Sequence, residues 1–149
     1  MRASRTVGAV TAAFVAVGGY VHLCLYRHGY RTIPKIGVGF LLQVLASAVI
    51  AVALLLGPHL VARAVHVSEG AAESLTALAA ASLAAGTLVA FALTRTSTGL
   101  FNFRERGLQP APQALVALVA EIGVLVVVSG SEVVRHARHD TITAGVRRV

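Results

Sequence analysis

Four polar side chains interrupt otherwise apolar stretches of this sequence, namely those of His22, Gln43, Thr87 and Glu121. An ionisable residue inside a membrane costs about 2.5 to 3.5 kcal/mol on insertion scales, so Glu121 in particular requires a structural or functional reason. A Glu and a His in surroundings of low dielectric constant can exchange a proton near neutral pH. The four residues therefore predict either a site for a proton, a quinone headgroup or another small polar ligand, or a structural cluster in which Glu121 is protonated or pairs with His22.

The composition identifies a bilayer as the surroundings of these side chains. Of the 149 residues, 56% are hydrophobic and 13% are charged, and the mean hydropathy is +0.78. A soluble domain carries about a quarter charged residues, so a cytosolic globular enzyme is excluded, and so is a disordered chain. Four stretches approach the roughly 20 apolar residues of a spanning helix. They predict one all-α domain, an integral membrane four-helix up-and-down bundle with spans at about 7–26, 36–57, 71–93 and 112–129, and a basic tail over 130–149.

Helical geometry predicts that the four polar side chains meet. In an up-and-down bundle they lie at similar depths, about 7 to 13 Å below one membrane surface at 1.5 Å per residue. Residues spaced by three or four along each helix form inward faces that combine small residues with the polar one. These faces are Thr11, Val15, Gly18, His22 and Tyr26; Gly39, Gln43, Ser47 and Ala51; Thr76, Ala80, Leu83 and Thr87; and Ala114, Ala117, Glu121 and Val124.

The connections between the spans have their own signals. Gly57 and Pro58 end the second helix, and the following residues 59–66 suit either a short interfacial helix or an irregular loop. Pro112 suits the first turn of the fourth helix. The third span contains mostly Ala, Ser, Thr and Gly, which favour close helix packing over contact with lipid, so we expect it well inside the bundle.

Two loops on the predicted side of the polar cluster combine aromatic and basic residues. Aromatic rings at headgroup depth and cations on lipid phosphates are typical of interfacial anchors. The same residues could instead recognise a lipid headgroup or a partner subunit. The residues concerned are Tyr26, Arg27, Tyr30, Arg31 and Lys35 in the first loop, and Phe101, Phe103, Arg104 and Arg106 in the second.

The net charge of +7 does not indicate nucleic-acid binding, because the basic residues flank the apolar stretches, where they fix topology. Seven cationic residues lie on the side of the termini and six on the other side. This difference favours a multi-pass protein of the cell membrane with cytoplasmic termini. The single cysteine, Cys24, permits no disulfide within the chain. Since His22 is the only histidine within a span, neither a bis-histidine haem nor a metal site is expected.

One pattern resembles a known group of proteins. It is His22-Leu23-x-Leu25-Tyr26-x-x-Gly29-Tyr30-Arg31-x-Ile33-Pro34-x-Ile36-Gly37, followed by Phe40-Leu41-Leu42-Gln43, by Gly99-Leu100-Phe101 to Glu105, and by Ala120-Glu121. The pattern covers most of the chain and is similar to that of small, uncharacterised four-pass integral membrane proteins of actinobacteria. The resemblance implies a fold and no enzymatic activity.

The sequence thus predicts a non-enzymatic multi-pass membrane protein, an accessory or interaction subunit whose buried polar cluster contacts lipid or quinone. The alternative is a small proton-coupled transporter in which Glu121 carries the proton. No nucleophile and base can be paired at one depth, so no catalytic residues and no resident cofactor are predicted. The expected partners are the lipid bilayer and either further copies of the chain or a larger membrane complex.

Overall fold

The computed structural model describes the backbone of residues 2–146 and the side chains of residues 5–135 and 137. Four long helices are present, and the predicted all-α four-helix fold is confirmed. They are α1 (Arg2–Arg27), α2 (Ile36–Val65), α3 (Glu69–Leu93) and α4 (Gln113–Val146), with a 3-10 turn at Tyr30–Thr32 before α2. Each of the four is long and apolar enough to cross a membrane.

The helices form a ring in chain order. α1 packs on α2 and α4, and α3 also packs on α2 and α4, whereas α1 and α3 lie diagonally across the bundle. Small residues allow the closest approach, because a Cβ atom on Gly19 of α1 would stand 2.6 Å from the Cβ atom of Ser47 on α2. The apolar centre is correspondingly small-chained, and it consists of Ala12, Val15, Ala51, Ala80, Ala84, Val124 and Val128.

α1, not α3, is the helix most enclosed by the others. In the most apolar stretch of each helix, 39% of the residues of α1 are buried, against 11% of those of α3. The expected position of the third span well inside the bundle was therefore wrong. Ala72, Ala80 and Ala84 form its one buried row. The small side chains of α3 therefore serve one close contact line, and the rest of the helix is half-buried or exposed.

The segment after Gly57 is helical. Gly57 has φ 79 and ψ 166, which interrupts α2 at Pro58, and the chain then continues as helix to Val65. Of the two structures expected for residues 59–66, the short helix is therefore the one present. α3 begins directly afterwards, since the Ser68 side chain accepts a hydrogen bond from Ala71 N at 3.2 Å.

α4 continues well beyond the predicted span that ends at 129. Its helical backbone reaches Val146, so most of the segment expected to be a basic tail prolongs the helix. Arg135 pairs there with Glu132. The other basic side chains of that tail, among them Arg138, His139, Arg147 and Arg148, lie outside the described residues.

Candidate functional site

A cavity of about 300 Å³ lies at the end of the bundle where α2 and α4 begin. All four helices contribute to its wall. The cavity is lined by His22, Gln43, Thr87 and Glu121, together with Leu, Phe, Ala and Gly residues. The structure therefore brings the four polar residues singled out in the sequence to one cavity with largely apolar walls.

Glu121 lies in the wall of this cavity and is 4% exposed. Gln43 Nε2 donates a hydrogen bond to Glu121 Oε1 at 3.2 Å, from the helix diagonally opposite. His22 Nδ1 instead lies 2.8 Å from the backbone oxygen of Gly18, one turn earlier on α1. Among the described residues Glu121 has no ion pair. Its hydrogen-bond partner is Gln43, and not His22, which the sequence suggested as a partner.

The predicted inward faces agree with the structure along most of their length. Thr11, Val15, Gly18, His22, Ser47, Ala51, Ala80, Ala114, Ala117, Glu121 and Val124 are all buried. Thr87 is half-buried, and its hydroxyl donates to Leu83 O at 2.9 Å, so it satisfies the backbone of its own helix. Gly39 lines the cavity but is exposed.

Aromatic side chains from both loops cover the outer end of the cavity. The Tyr30 ring stacks on Phe40 of α2 at a centroid distance of 4.8 Å and meets the edge of Phe103 at 5.8 Å. Lys35 Nζ lies 5.2 Å from the centre of the Phe101 ring. Four of the predicted loop residues, Tyr30, Lys35, Phe101 and Phe103, thus line the same cavity as Glu121.

The other predicted loop residues lie away from the cavity wall. Arg27, Arg31, Arg104 and Arg106 are exposed and Tyr26 is half-buried. Arg104 donates to Ser97 O at 2.9 Å, which closes its own loop. The four arginines are therefore accessible to solvent or lipid headgroups at this end of the bundle.

An ion pair that the sequence did not single out lies within the loop between α3 and α4, and Tyr30 links it to the first loop. Arg95 Nη1 lies 3.1 Å from Glu105 Oε2, both side chains are less than one fifth exposed, and Tyr30 donates its hydroxyl proton to Glu105 Oε1. Arg95 also donates to Gln109 O at 2.6 Å. Burial raises the pKa of the Tyr30 hydroxyl, and the adjacent Glu105 raises it further. One sequence signal was available, because Glu105 is the only acidic residue between Glu73 and Glu121.

The loop between α3 and α4 is folded on itself. Leu100 and Phe103 exchange backbone hydrogen bonds of 3.0 and 2.9 Å, and Glu105 N donates to Thr94 O at 3.0 Å. Gly99 has φ +70, and a Cβ atom there would stand 2.3 Å from Phe103 O, so this turn requires glycine. The loop therefore presents Phe101, Phe103 and Glu105 in fixed positions over the cavity.

A second, smaller cavity of about 70 Å³ lies towards the opposite end of the bundle. Arg5, Glu73 and Arg135 line it together with Thr11, Thr76 and Ser131. The Ala and Val side chains of the apolar centre lie between this cavity and the larger one. Among the described residues, no group of three or more His, Cys, Asp or Glu side chains is placed to hold a metal ion.

The fold and the four apolar helices define the chain as an all-α, multi-pass membrane protein. No family model, curated protein or solved structure matches it. The similarity to actinobacterial four-pass proteins therefore remains a prediction from the sequence pattern.

Proposed function

We propose that this protein is a non-enzymatic membrane accessory subunit that binds the polar headgroup of a lipid or quinone. The observation that carries the proposal is the cavity of about 300 Å³, whose largely apolar wall contains Gln43, Thr87 and Glu121. Binding sites for small molecules are typically apolar clefts of this size with a few convergent polar groups. Gln43 and Glu121 supply both donors and acceptors for a headgroup that carries hydroxyl or carbonyl oxygens.

The packing between the two cavities supports binding over transport. A proton or substrate that left Glu121 for the opposite surface would have to pass Val15, Ala84 and Val124, which are 4%, 1% and 1% exposed. Proton relays within membranes use chains of ionisable or polar groups. Proton flux into dye-loaded vesicles that is lost in Glu121→Gln would favour the proton-coupled transporter instead.

Extraction of bound molecules tests the proposal. Wild-type protein, the double variant Gln43→Leu/Glu121→Leu and the control Val126→Leu are purified in mild detergent, and their organic extracts are compared by mass spectrometry. Val126 is on the same helix as Glu121 and is exposed. We expect one lipid or quinone species to be enriched with wild type and with the control but not with the double variant. Identical extracts from all three proteins would contradict the proposal.

The accessory role has a separate test. The cations Arg27, Arg31, Arg104 and Arg106 lie in or beside the two loops, are exposed and are available to a partner subunit. We expect an affinity-tagged wild-type protein to co-purify with a defined membrane protein or with further copies of itself. Replacement of these four arginines by alanine should reduce that recovery, and recovery of a lone monomer from native membranes would contradict an accessory role.

A further inference from the structure

The wall of the cavity contains exposed small residues where α2 and α3 are neighbours. Gly39 of α2 and both Ser82 and Gly86 of α3 line the cavity and are exposed. Counted from the helix ends at Ile36 and Leu93, they lie about 5, 16 and 10 Å into the helices. These three residues border the gap between α2 and α3, called the portal below, at a depth that corresponds to lipid tails when the helices span a bilayer.

The portal is open because its residues are small. A Cβ atom built on Gly39 or on Gly86 would meet nothing within 4 Å. On the other side of α3 the wall is different: Leu88 is about 200° around the helix from Gly86 and lines the cavity together with Leu118 of α4, and both are half-buried. The cavity is thus closed by leucines towards α4 and open towards lipid between α2 and α3.

We propose that a membrane-dissolved amphiphile enters the cavity sideways through this portal, with a neutral hydroxyl or carbonyl head at Gln43 and Glu121 and an apolar tail left in the portal. This inference rests on the proposed function and adds the access route and the ligand class. A neutral head is favoured because a charged group would have to cross hydrocarbon to reach the portal, which costs far more than the passage of a hydroxyl or carbonyl.

The cations near the cavity do not favour an anionic head. Arg95 is paired with Glu105 at 3.1 Å, and Lys35 lies over the Phe101 ring at the outer end. Beside Gln43 and Glu121 an anion would meet the Glu121 carboxyl group, and Lys35 and Arg95 are the cations among the lining residues.

Photolabelling in phosphatidylcholine vesicles tests the inference. The probe is undecanol with a diazirine group in mid-chain, and labelled residues are located by mass spectrometry. We expect labelling of cavity and portal residues that excess undecanol abolishes and that undecyl phosphate or undecyltrimethylammonium leaves in place. In the variant Gly39→Leu/Gly86→Leu this labelling should fall by about tenfold, because leucine side chains occupy the place of the tail.

Gly130→Leu is the matched control. Gly130 is also an exposed helical glycine with nothing within 4 Å of a Cβ atom, but it lies outside the cavity wall. Circular dichroism and gel filtration check that all variants fold. Specific labelling that survives in Gly39→Leu/Gly86→Leu would overturn the access route and leave the proposed function intact. Competition by a charged amphiphile would overturn the inference that the headgroup is neutral. Absence of specific labelling in the wild-type cavity would overturn the proposed function itself.

Discussion

Gly18 of α1 lies directly against the carboxyl group of Glu121 on α4, so that a Cβ atom on residue 18 would stand 2.9 Å from Glu121 Oε1. The neighbouring Gly19 faces α2, where a Cβ atom would stand 2.6 Å from the Cβ atom of Ser47. Two successive glycines thus allow α1 to approach one helix on each side. The two contacts differ, because the Glu121 carboxyl is the end of a flexible side chain and the Ser47 Cβ is fixed to the α2 backbone.

Alanine at these two positions should therefore have unequal effects. We expect Gly19→Ala to lower the free energy of unfolding by roughly 1 to 3 kcal/mol, because α1 and α2 must separate. Gly18→Ala should cost less, since the carboxyl can move away. Thermal unfolding in detergent measures both, with Gly86→Ala as the control in open space. Equal stability of Gly18→Ala and Gly19→Ala would contradict the described packing.

The hydrogen bond between Gln43 and Glu121 predicts energetic coupling between these residues. In a double-mutant cycle with Gln43→Leu and Glu121→Leu, we expect a coupling free energy of about 1 kcal/mol. His22→Ala should couple more weakly to Glu121→Leu, because the described bond of His22 is to the backbone of Gly18 and not to Glu121. Unfolding in detergent measures the stability of wild type and of each single and double variant in both cycles. Coupling to His22 that is stronger than coupling to Gln43 would reverse the described arrangement.

The same cluster predicts the response to Glu121→Gln. If the carboxyl is protonated and structural, the amide should replace it with a small loss of stability and no new pH dependence between pH 5 and 8. If Glu121 carries a proton in transport, the variant should fold but lose proton flux. Stability measured across this pH range and flux measured in vesicles distinguish the two outcomes.

Tyr30 predicts a pH dependence at the cavity mouth. Burial and the adjacent Glu105 raise the pKa of its hydroxyl in the folded protein, so the unfolded chain releases this proton first as the pH rises. The stabilisation is complete below the ordinary tyrosine pKa of about 10 and declines at higher pH. We expect wild-type stability to decline more steeply above that pH than the stability of Tyr30→Phe. Tyr26→Phe is the matched control, since Tyr26 lies near the same end of α1 but outside the cavity wall. Parallel pH profiles for wild type and Tyr30→Phe would contradict this role.

Ala80 and Ala84 of α3 are 0% and 1% exposed, so leucine at either position would force the helices apart. We expect Ala80→Leu and Ala84→Leu each to destabilise the protein by roughly 1 to 3 kcal/mol. Ala79→Leu, at an exposed position of the same helix, should have a much smaller effect. Thermal stability in detergent is the measurement, and wild-type stability of both buried variants would place this face of α3 against lipid.

The sequence by itself determined the helices and the depth of the polar residues. Apolar stretches of about 20 residues have one solution in lipid, because every backbone polar group must be bonded within its own segment. Depth follows from counting residues along a helix, which is why His22, Gln43, Thr87 and Glu121 could be placed at one level and do line one cavity.

Only the tertiary structure decided which groups bond to one another and which helix is central. Gln43 reaches Glu121 across the diagonal of the ring, and helical periodicity does not define the order or the rotation of helices in a bundle. Small residues permit close packing but do not determine which helix packs against them. The alanines of α3 therefore could not reveal that α1 is the enclosed helix. The Arg95–Glu105 pair with Tyr30 depends on how two loops meet, and the portal depends on how far α2 and α3 separate. These distances arise from packing between segments far apart in the chain, which is why no local sequence pattern records them.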